Sequence, residues 1–169
     1  MKRVIIAGVG PGSKSCLTEE VKEAIDNSEV LIGSKRLIEE YTDKKTFYAV
    51  TAKDIIDIID NENANNYVVL MSGDTGFYSG AEAASKAFLQ EGWEVEYIPG
   101  VSSLSYFCGR LGRSWQNIHC ISSHGRSCDV VAHIRHYENC FILLGGKGSV
   151  SALCRELVSN GLGNVKIWA

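Results

Sequence analysis

A buried strand that ends near glycine and leads towards a helix recurs about four times before residue 112, and this repeat constrains the fold most. Apolar runs predict strands at 4–8, 29–33, 67–71 and 95–98, with helix-forming segments between and after them. Such alternation predicts a mainly parallel sheet covered by helices. Because ligands of such sheets bind beyond the carboxyl ends of the strands, we expect three glycine-rich turns to converge there.

The pattern changes around residues 111–117, which predicts two lobes. We expect an N-terminal α/β lobe at 1–112, which carries the glycine-rich loops, and a C-terminal α/β lobe with a mixed sheet at 113–169. Since the chain stops one residue after the last predicted strand, we expect the second lobe to be incomplete. The elements predicted in the second lobe are strands at 118–122, 140–144 and 165–168 and helices at 129–138 and 149–159.

Composition and charge exclude several classes of protein. The net charge of −3 provides no chain-wide attraction for nucleic acid, and no run of about 18 apolar residues predicts a membrane helix. The apolar stretch after Lys2 and Arg3 is broken by glycine and proline too early for a secretion signal. Six cysteines without a C-x-x-C pair argue against zinc ribbons and favour reduced thiols in the cytoplasm.

The first glycine-rich loop is Gly8-x-Gly10-Pro11-Gly12, between a predicted strand and a predicted helix. A dinucleotide site is one interpretation of such a loop. Two features argue against it. Pro11 has no N–H to donate to a pyrophosphate, and the second strand ends in Gly33-Ser34-Lys35, without an acid to hold a ribose. A tight turn with no ligand is the alternative.

The second motif runs from Ser72 to Tyr78 after a buried strand. Gly73 would let a ligand approach the main chain, and Asp74 could accept hydrogen bonds or face a cation. Phe77 and Tyr78 could form an apolar wall beside that ligand. In the simpler interpretation this is a strand-to-helix turn in which Asp74 caps the helix.

The third motif is Pro99-Gly100-Val101-Ser102-Ser103, at the end of the fourth predicted strand. It places a glycine and two serines at the same edge of the sheet as the first two loops. Gly100, Ser102 and Ser103 are therefore candidates for ligand binding. A helix cap and a helix N-terminus would explain both serines without any ligand.

The fourth motif, Ser122-Ser123-His124-Gly125-Arg126, follows a strand of the second lobe. His124 could move protons near neutral pH, and Arg126 could hold a carboxylate in a bidentate fork. A structural turn is the alternative. Residues 110–135 carry four arginines against Asp129, a local charge of +3 (4 − 1), which suits a small polyanion or an ordinary solvated face.

The spacing of His133, His136 and Cys140 allows all three to share one helix face as zinc ligands. The helix is predicted to end before Cys140, however, and no fourth ligand is obvious. We therefore expect no metal and interpret both histidines as structural or surface residues.

Taken in order, these motifs resemble the tetrapyrrole methylases, a family of enzymes that use S-adenosylmethionine. The family's GxGPG followed by LT is similar to Gly8 to Gly12 with Leu17-Thr18, and its SGDP-x-x-Y and PG-[IV]-SS segments are similar to the second and third motifs. Thr75 stands where the family usually has proline. The runs 33–37 and 123–126 resemble the precorrin-6Y and precorrin-7 methylases, which act at carbon 5.

The resemblance implies two α/β lobes with S-adenosylmethionine between them and methyl transfer to carbon 5 of a precorrin or cobalt-precorrin in cobalamin biosynthesis. His124 and Arg126 would act on the polycarboxylate macrocycle. The resemblance also implies a cytoplasmic homodimer without nucleic-acid or membrane partners, and a separate methylase for the decarboxylation. The residues implied to bind the cofactor are Pro11, Gly73, Asp74, Phe77, Tyr78, Gly100, Ser102, Ser103 and Leu144.

Three other functions stay open at this point. A sister methylase would act on another ring carbon of a related macrocycle. A nicotinamide-dependent oxidoreductase would bind NADH, and a non-catalytic tetrapyrrole-binding module would bind the macrocycle without the methyl donor.

Overall fold

The computed structural model describes residues 2–125, 127–145 and 149–169. The chain divides into two compact units, Met1–Leu111 and Gly112–Ala169. The elements of the first unit are β1 (Arg3–Gly8), a 3-10 turn (Lys14–Cys16), α1 (Glu19–Asp26), β2 (Val30–Gly33), α2 (Lys35–Ile38), β3 (Lys45–Tyr48), α3 (Ala52–Asn61), β4 (Asn66–Met71), α4 (Ala81–Gln90), β5 (Glu94–Ile98) and α5 (Ser103–Arg110). Those of the second unit are β6 (His119–Ser122), α6 (Val130–His136), β7 (Cys140–Leu143) and α7 (Val150–Ser159).

The first unit is built on a five-stranded sheet in the order β3-β2-β4-β1-β5. Every pair of neighbouring strands is parallel. The carboxyl ends of all five strands therefore lie at one edge of the sheet. The mainly parallel α/β fold predicted from the sequence is confirmed.

Two helical layers cover the sheet, one on each face, because the central strands direct apolar side chains to both faces. In β4, Tyr67 and Val69 pack in one core with α3 and α4. Val68 and Leu70 of the same strand pack in the other core with α1 and α2. The uninterrupted apolar run of β4 is thus explained by burial on both sides.

Polar caps mark where the helices of the first unit begin. Thr18 accepts a hydrogen bond from the Val21 N–H at the start of α1, and Thr51 accepts one from the Asp54 N–H at the start of α3. Such caps satisfy N–H groups that have no partner inside the helix. The caps and the apolar stripes together account for both helices.

The sequence did not predict α2 or β3. Strand β3 lies at the edge of the sheet and pairs only with β2, and its Tyr48 is 65% exposed. An edge strand with exposed side chains has no apolar run to mark it. Helix α2 is a single turn of four residues, too short for a helical repeat.

The second unit contains a small sheet of two parallel strands, β6 and β7, paired from His119 with Cys140 to Ser122 with Leu143. Its core comprises Ile121, Val130, Val131, Leu153 and Leu157. The strand predicted at 165–168 is wrong, since residues 149–169 contain no strand. Among the helices that the structure describes, none has the length and apolar character to cross a bilayer.

Candidate cofactor and substrate site

The three glycine-rich turns of the first unit meet at the carboxyl edge of the sheet. Gly10 and Gly73 form an isolated antiparallel bridge. The Gly10 N–H donates to the Gly73 carbonyl at 3.0 Å, and the Gly73 N–H donates to the Gly10 carbonyl at 2.8 Å. The Val9 N–H donates to the Met71 carbonyl at 2.9 Å. These bonds join the first turn to the second.

Gly8 and Gly100 bring the third turn against the other two, so the predicted convergence is confirmed. A Cβ atom on Gly8 would lie 2.7 Å from the Gly100 nitrogen and 2.8 Å from the Gly73 oxygen. A Cβ atom on Gly100 would overlap the carbonyl oxygens of Gly8 and Gly73. Main chain, rather than a ligand, fills the space beside Gly100. Its role in cofactor binding stays a prediction.

Gly73 differs from Gly100 because the space beside it is open. Its φ is +73°, and among the described residues other than Gly73 and its two chain neighbours, no atom lies within 4 Å of the position that a Cβ would take. A residue with a side chain would be strained here and would cover the main chain of the second loop. Gly73 therefore leaves main chain accessible where the turns meet.

Asp74 does not cap a helix, so the simpler interpretation of the second motif is wrong for this side chain. Helix α4 begins seven residues later, and the Ser79 hydroxyl accepts the hydrogen bond from the Ala81 N–H. Asp74 is half-buried. Within the described ranges, its carboxylate has no hydrogen-bond or ion-pair partner. It is available to a ligand.

Phe77 and Tyr78 form an edge-to-face aromatic pair, with ring centroids 5.0 Å apart and planes at 72°. Tyr78 has a φ of +50°, the left-handed region that residues with a side chain rarely adopt. Backbone strain of this kind often marks a functional loop. The two rings thus contact each other, and their role as a wall beside a ligand stays a prediction.

Pro11 lies half-buried between two glycines with positive φ, Gly10 at +74° and Gly12 at +116°. Its ring nitrogen donates no hydrogen bond. The first loop therefore lacks one donor that a pyrophosphate would use, which continues to argue against a dinucleotide.

The capping interpretation of the third motif is confirmed for one serine. Ser102 is the N-cap of α5, and its hydroxyl accepts a hydrogen bond from the Leu104 N–H at 3.2 Å. Ser103 is the first residue of the helix and is half-buried. Contacts of either serine with a cofactor stay predictions.

In the second unit, His124 lies against the turn that follows β7. A Cβ atom on Gly145 would overlap the His124 ring, with Cε1 at 2.7 Å, so the imidazole packs where a side chain is missing. His124 is exposed, and its N–H donates to the Ser122 hydroxyl at 3.2 Å. Leu144, next to Gly145, is half-buried. Arg126 lies outside the described residues, and the predicted roles of all three residues remain untested.

The candidate zinc ligands take up other contacts. His133 Nδ1 lies 3.1 Å from His119 Nε2, and the His119 ring stacks on Tyr137 with centroids 3.6 Å apart. The Cys140 thiol points to the His133 carbonyl oxygen at 3.9 Å, while His136 meets the edge of Tyr137. In the ranges 2–125, 127–145 and 149–169, no three His, Cys, Asp or Glu residues are placed to hold a metal ion.

Two arginines of the predicted basic stretch are already engaged within the second unit. The Arg113 guanidinium lies over the Trp168 ring, 4.5 Å from its centroid, and Arg135 donates to the Asn160 carbonyl at 2.9 Å. These contacts favour an ordinary surface over a patch of four free cations.

The contact of Arg36 with the glycine-rich loops was not predicted from the sequence. The structure shows its Nη2 donating to the Ser72 hydroxyl at 3.0 Å, across 36 positions of the chain. Its only signal in the sequence is that Arg36 lies in the run 33–37, which resembles the precorrin-6Y and precorrin-7 methylases. Its contact depends on how α2 packs against the sheet.

A doubly wound parallel sheet with three turns converging at its carboxyl edge defines an α/β protein of the class whose ligands bind at the strand ends. The sequence pattern of the tetrapyrrole (corrin/porphyrin) methylases matches residues 3–166. The chain belongs to this family.

Two curated relatives cover nearly the whole chain. It is 26% identical to the probable cobalt-precorrin-7 C(5)-methyltransferase of Methanocaldococcus jannaschii over 98% of this chain and 81% of that protein. It is also 26% identical to the cobalt-precorrin-7 C(5)-methyltransferase of Salmonella typhimurium over 94% of this chain and 79% of that protein.

Among solved structures, the uroporphyrin-III C-methyl transferase from Thermus thermophilus, complexed with S-adenosylhomocysteine, shares the fold. Its TM-score is 0.71 at 21% identity, over 94% of this chain and 77% of that chain.

Proposed function

We propose that this chain transfers a methyl group from S-adenosylmethionine to carbon 5 of a precorrin or cobalt-precorrin in cobalamin biosynthesis. The observation that carries the proposal is the accessible main chain of Gly73 where the three turns meet. Family membership supports the methyl transfer. The two relatives named as C(5)-methyltransferases support the choice of ring carbon.

The residues around Gly73 fit a sulfonium cofactor. The open side of Gly73 lets a ligand lie against the main chain, and the half-buried carboxylate of Asp74 attracts a cation or accepts hydrogen bonds from a ribose. Phe77 and Tyr78 offer aromatic surface next to it. We also assign cofactor binding to Pro11, Gly100, Ser102, Ser103 and Leu144.

When bound, S-adenosylmethionine supplies an already activated methyl group, so the protein needs no nucleophile of its own. The chain's residues must instead hold the macrocycle in line with that group and exclude water, and alignment of this kind contributes roughly 7–11 kcal/mol. We assign substrate contact or proton handling to the exposed His124, and the binding of macrocycle carboxylates to Arg126.

We further propose that the enzyme works as a cytoplasmic homodimer and that a separate methylase carries out the decarboxylation. The six free cysteines support a reducing compartment. The proposed macrocycle is a polycarboxylate. We propose no nucleic-acid or membrane partner, because the net charge of −3 does not attract such polyanions.

Calorimetry with S-adenosylhomocysteine and a methyl-transfer assay test the function. With ¹³C-methyl-labelled S-adenosylmethionine and a precorrin substrate, we expect the label at carbon 5 by NMR. Label at another ring carbon would make the chain a sister methylase. Binding of NADH without S-adenosylhomocysteine would favour an oxidoreductase, and binding of the macrocycle alone would favour a carrier.

Gly73→Ala tests where the cofactor lies. Gly92 is a matched control, because it also has a φ of +73° and, its chain neighbours aside, no atom of the described residues within 4 Å of its Cβ position. Each substitution carries a backbone strain of about 1–2 kcal/mol. We expect Gly73→Ala to raise the Kd for S-adenosylhomocysteine about tenfold or more, a change of ~1.4 kcal/mol, and Gly92→Ala to leave it unchanged. Equal effects of the two substitutions would place the cofactor away from Gly73.

A further inference from the structure

We propose that Arg36 is a carboxylate-binding residue of the methyl-transfer site, an assignment that rests on the proposed function. A pocket of about 200 Å³ lies in the first unit between the first glycine-rich loop and α2. Val9 and Leu37 line its apolar part, and Lys14, Arg36 and Glu40 line its polar part. Its lining therefore includes both apolar and charged residues.

The Arg36 guanidinium joins the first and second glycine-rich loops. Its Nη2 donates to the Ser72 hydroxyl at 3.0 Å, and its Nη1 lies 3.1 Å from the position of a Cβ on Gly12. The missing side chain of Gly12 thus leaves room for the guanidinium. Ser72 directly precedes Gly73, so the guanidinium is bonded to the residue next to the accessible main chain.

The charge of Arg36 is not balanced by the protein. Lys14 Nζ lies 3.3 Å from the Glu40 carboxylate, so these two charges offset each other. In the part of the chain that the structure describes, Arg36 forms no ion pair. The charges of the three charged residues that line the pocket sum to +1 (two cations, one anion).

The ligand that suits this guanidinium is a carboxylate. Arginine presents five N–H donors in a planar fork, and the bond to Ser72 uses one nitrogen. Carboxylates accept two parallel hydrogen bonds from such a fork. Two groups of the proposed reaction supply this chemistry, namely the methionine carboxylate of the cofactor and the acetate or propionate side chains of the macrocycle.

Arg36→Gln removes the charge, Arg36→Lys keeps it without the fork, and Lys35→Gln is the matched control. Lys35 neighbours Arg36 in α2, is exposed, and carries the same charge. Calorimetry would compare S-adenosylhomocysteine with its decarboxylated analogue, and cobyrinic acid with cobinamide, in which carboxylates are replaced by amides. Each pair of probes differs in the carboxylate that Arg36 is proposed to bind.

We expect Arg36→Gln to raise the Kd of one carboxylate-bearing probe about tenfold to hundredfold, the range for a hydrogen bond to a charged group. We expect Arg36→Lys to have a smaller effect, and Lys35→Gln none. The Kd of the matching carboxylate-free probe should not change. A general distortion of the site would instead raise the Kd of both probes. The probe that responds identifies the source of the carboxylate.

If Arg36→Gln and Lys35→Gln both leave all four Kd values within about twofold of wild type, the assignment of Arg36 is wrong while the proposed function stands. Equal weakening of the carboxylate-bearing and carboxylate-free probes also overturns it. If the unmodified protein binds none of the four probes, the proposed function fails and this assignment fails with it.

Discussion

At the residue scale, Gly100 and Gly73 differ in what surrounds the position of a Cβ atom. Carbonyl oxygens of two other turns occupy that position at Gly100, whereas the position at Gly73 is empty. Gly100 is therefore required for packing of main chain on main chain. Gly73 is required for access to the main chain. The sequence alone shows two glycines after two strands and does not separate these roles.

Gly100→Ala should destabilise the protein by about 1–3 kcal/mol or more, because backbone atoms cannot move aside as a flexible side chain can. Urea unfolding followed by circular dichroism measures this change. Gly109→Ala is the control, since Gly109 lies in α5 and no atom of the described residues outside its own helix backbone and chain neighbours lies within 4 Å of its Cβ position. Alanine favours helix over glycine by up to about 1 kcal/mol, so this variant should be as stable as wild type or more stable. Wild-type stability of Gly100→Ala would contradict the close approach of the turns.

At the scale of elements, the site is assembled from strand ends and from helix starts. Helix α5 begins directly after the third turn, with Ser102 as its cap and Leu104 in the core. The cap therefore ties the main chain of the third turn to the packed helix. A residue predicted to bind the cofactor thus also has a structural role.

Ser102→Ala should lower the free energy of unfolding by about 1 kcal/mol, the usual loss for an N-cap hydroxyl. Ser105→Ala makes the same chemical change in the same helix, at an exposed position that caps nothing. It should leave the stability unchanged or slightly raised, because alanine is the better helix former. Thermal and urea unfolding of both variants would check this, and equal stabilities would show that the Ser102 cap contributes nothing.

At the scale of the whole molecule, each of the two units has its own apolar core and its own buried or half-buried thiol. Cys108 in the first unit is 2% exposed, and burial raises the pKa of its thiol above the ordinary 9.0. Burial and the nearby Cys120 raise the pKa of Cys140 in the second unit. Burial, followed by Glu40, likewise raises the pKa of the Tyr41 hydroxyl above 10.0.

These shifts predict that the protein loses stability at alkaline pH. Above a pH of about 9, unfolded cysteines release protons that the folded chain retains, so the free energy of unfolding falls as pH rises. Urea unfolding at a series of pH values between neutral and strongly alkaline would measure the slope. The double substitution Cys108→Ala and Cys140→Ala should make the fall in unfolding free energy with pH less steep. An unchanged slope would rule out these thiols as the cause of the alkaline destabilisation.

Much of the first unit follows from local sequence. Apolar runs such as 67–71 must be buried on both faces, and glycines at their ends permit turns, so the parallel sheet and the meeting of its three loops were predictable. The capping threonines and Ser102 were readable in the same way, because a cap depends on neighbours within three residues. The apolar runs and the caps are local features, because their physical causes lie within one element.

Contacts between distant parts of the chain were decided only by the tertiary structure. Arg36 reaches Ser72 and His124 packs on Gly145 because whole elements pack against one another. The edge strand β3 was not predicted, and the strand predicted at 165–168 does not form. In both cases strand pairing depends on a neighbouring strand and not on the apolar pattern of one segment. Burial pattern is encoded along the chain, whereas the partner that fills each space is set by the packing of elements in three dimensions.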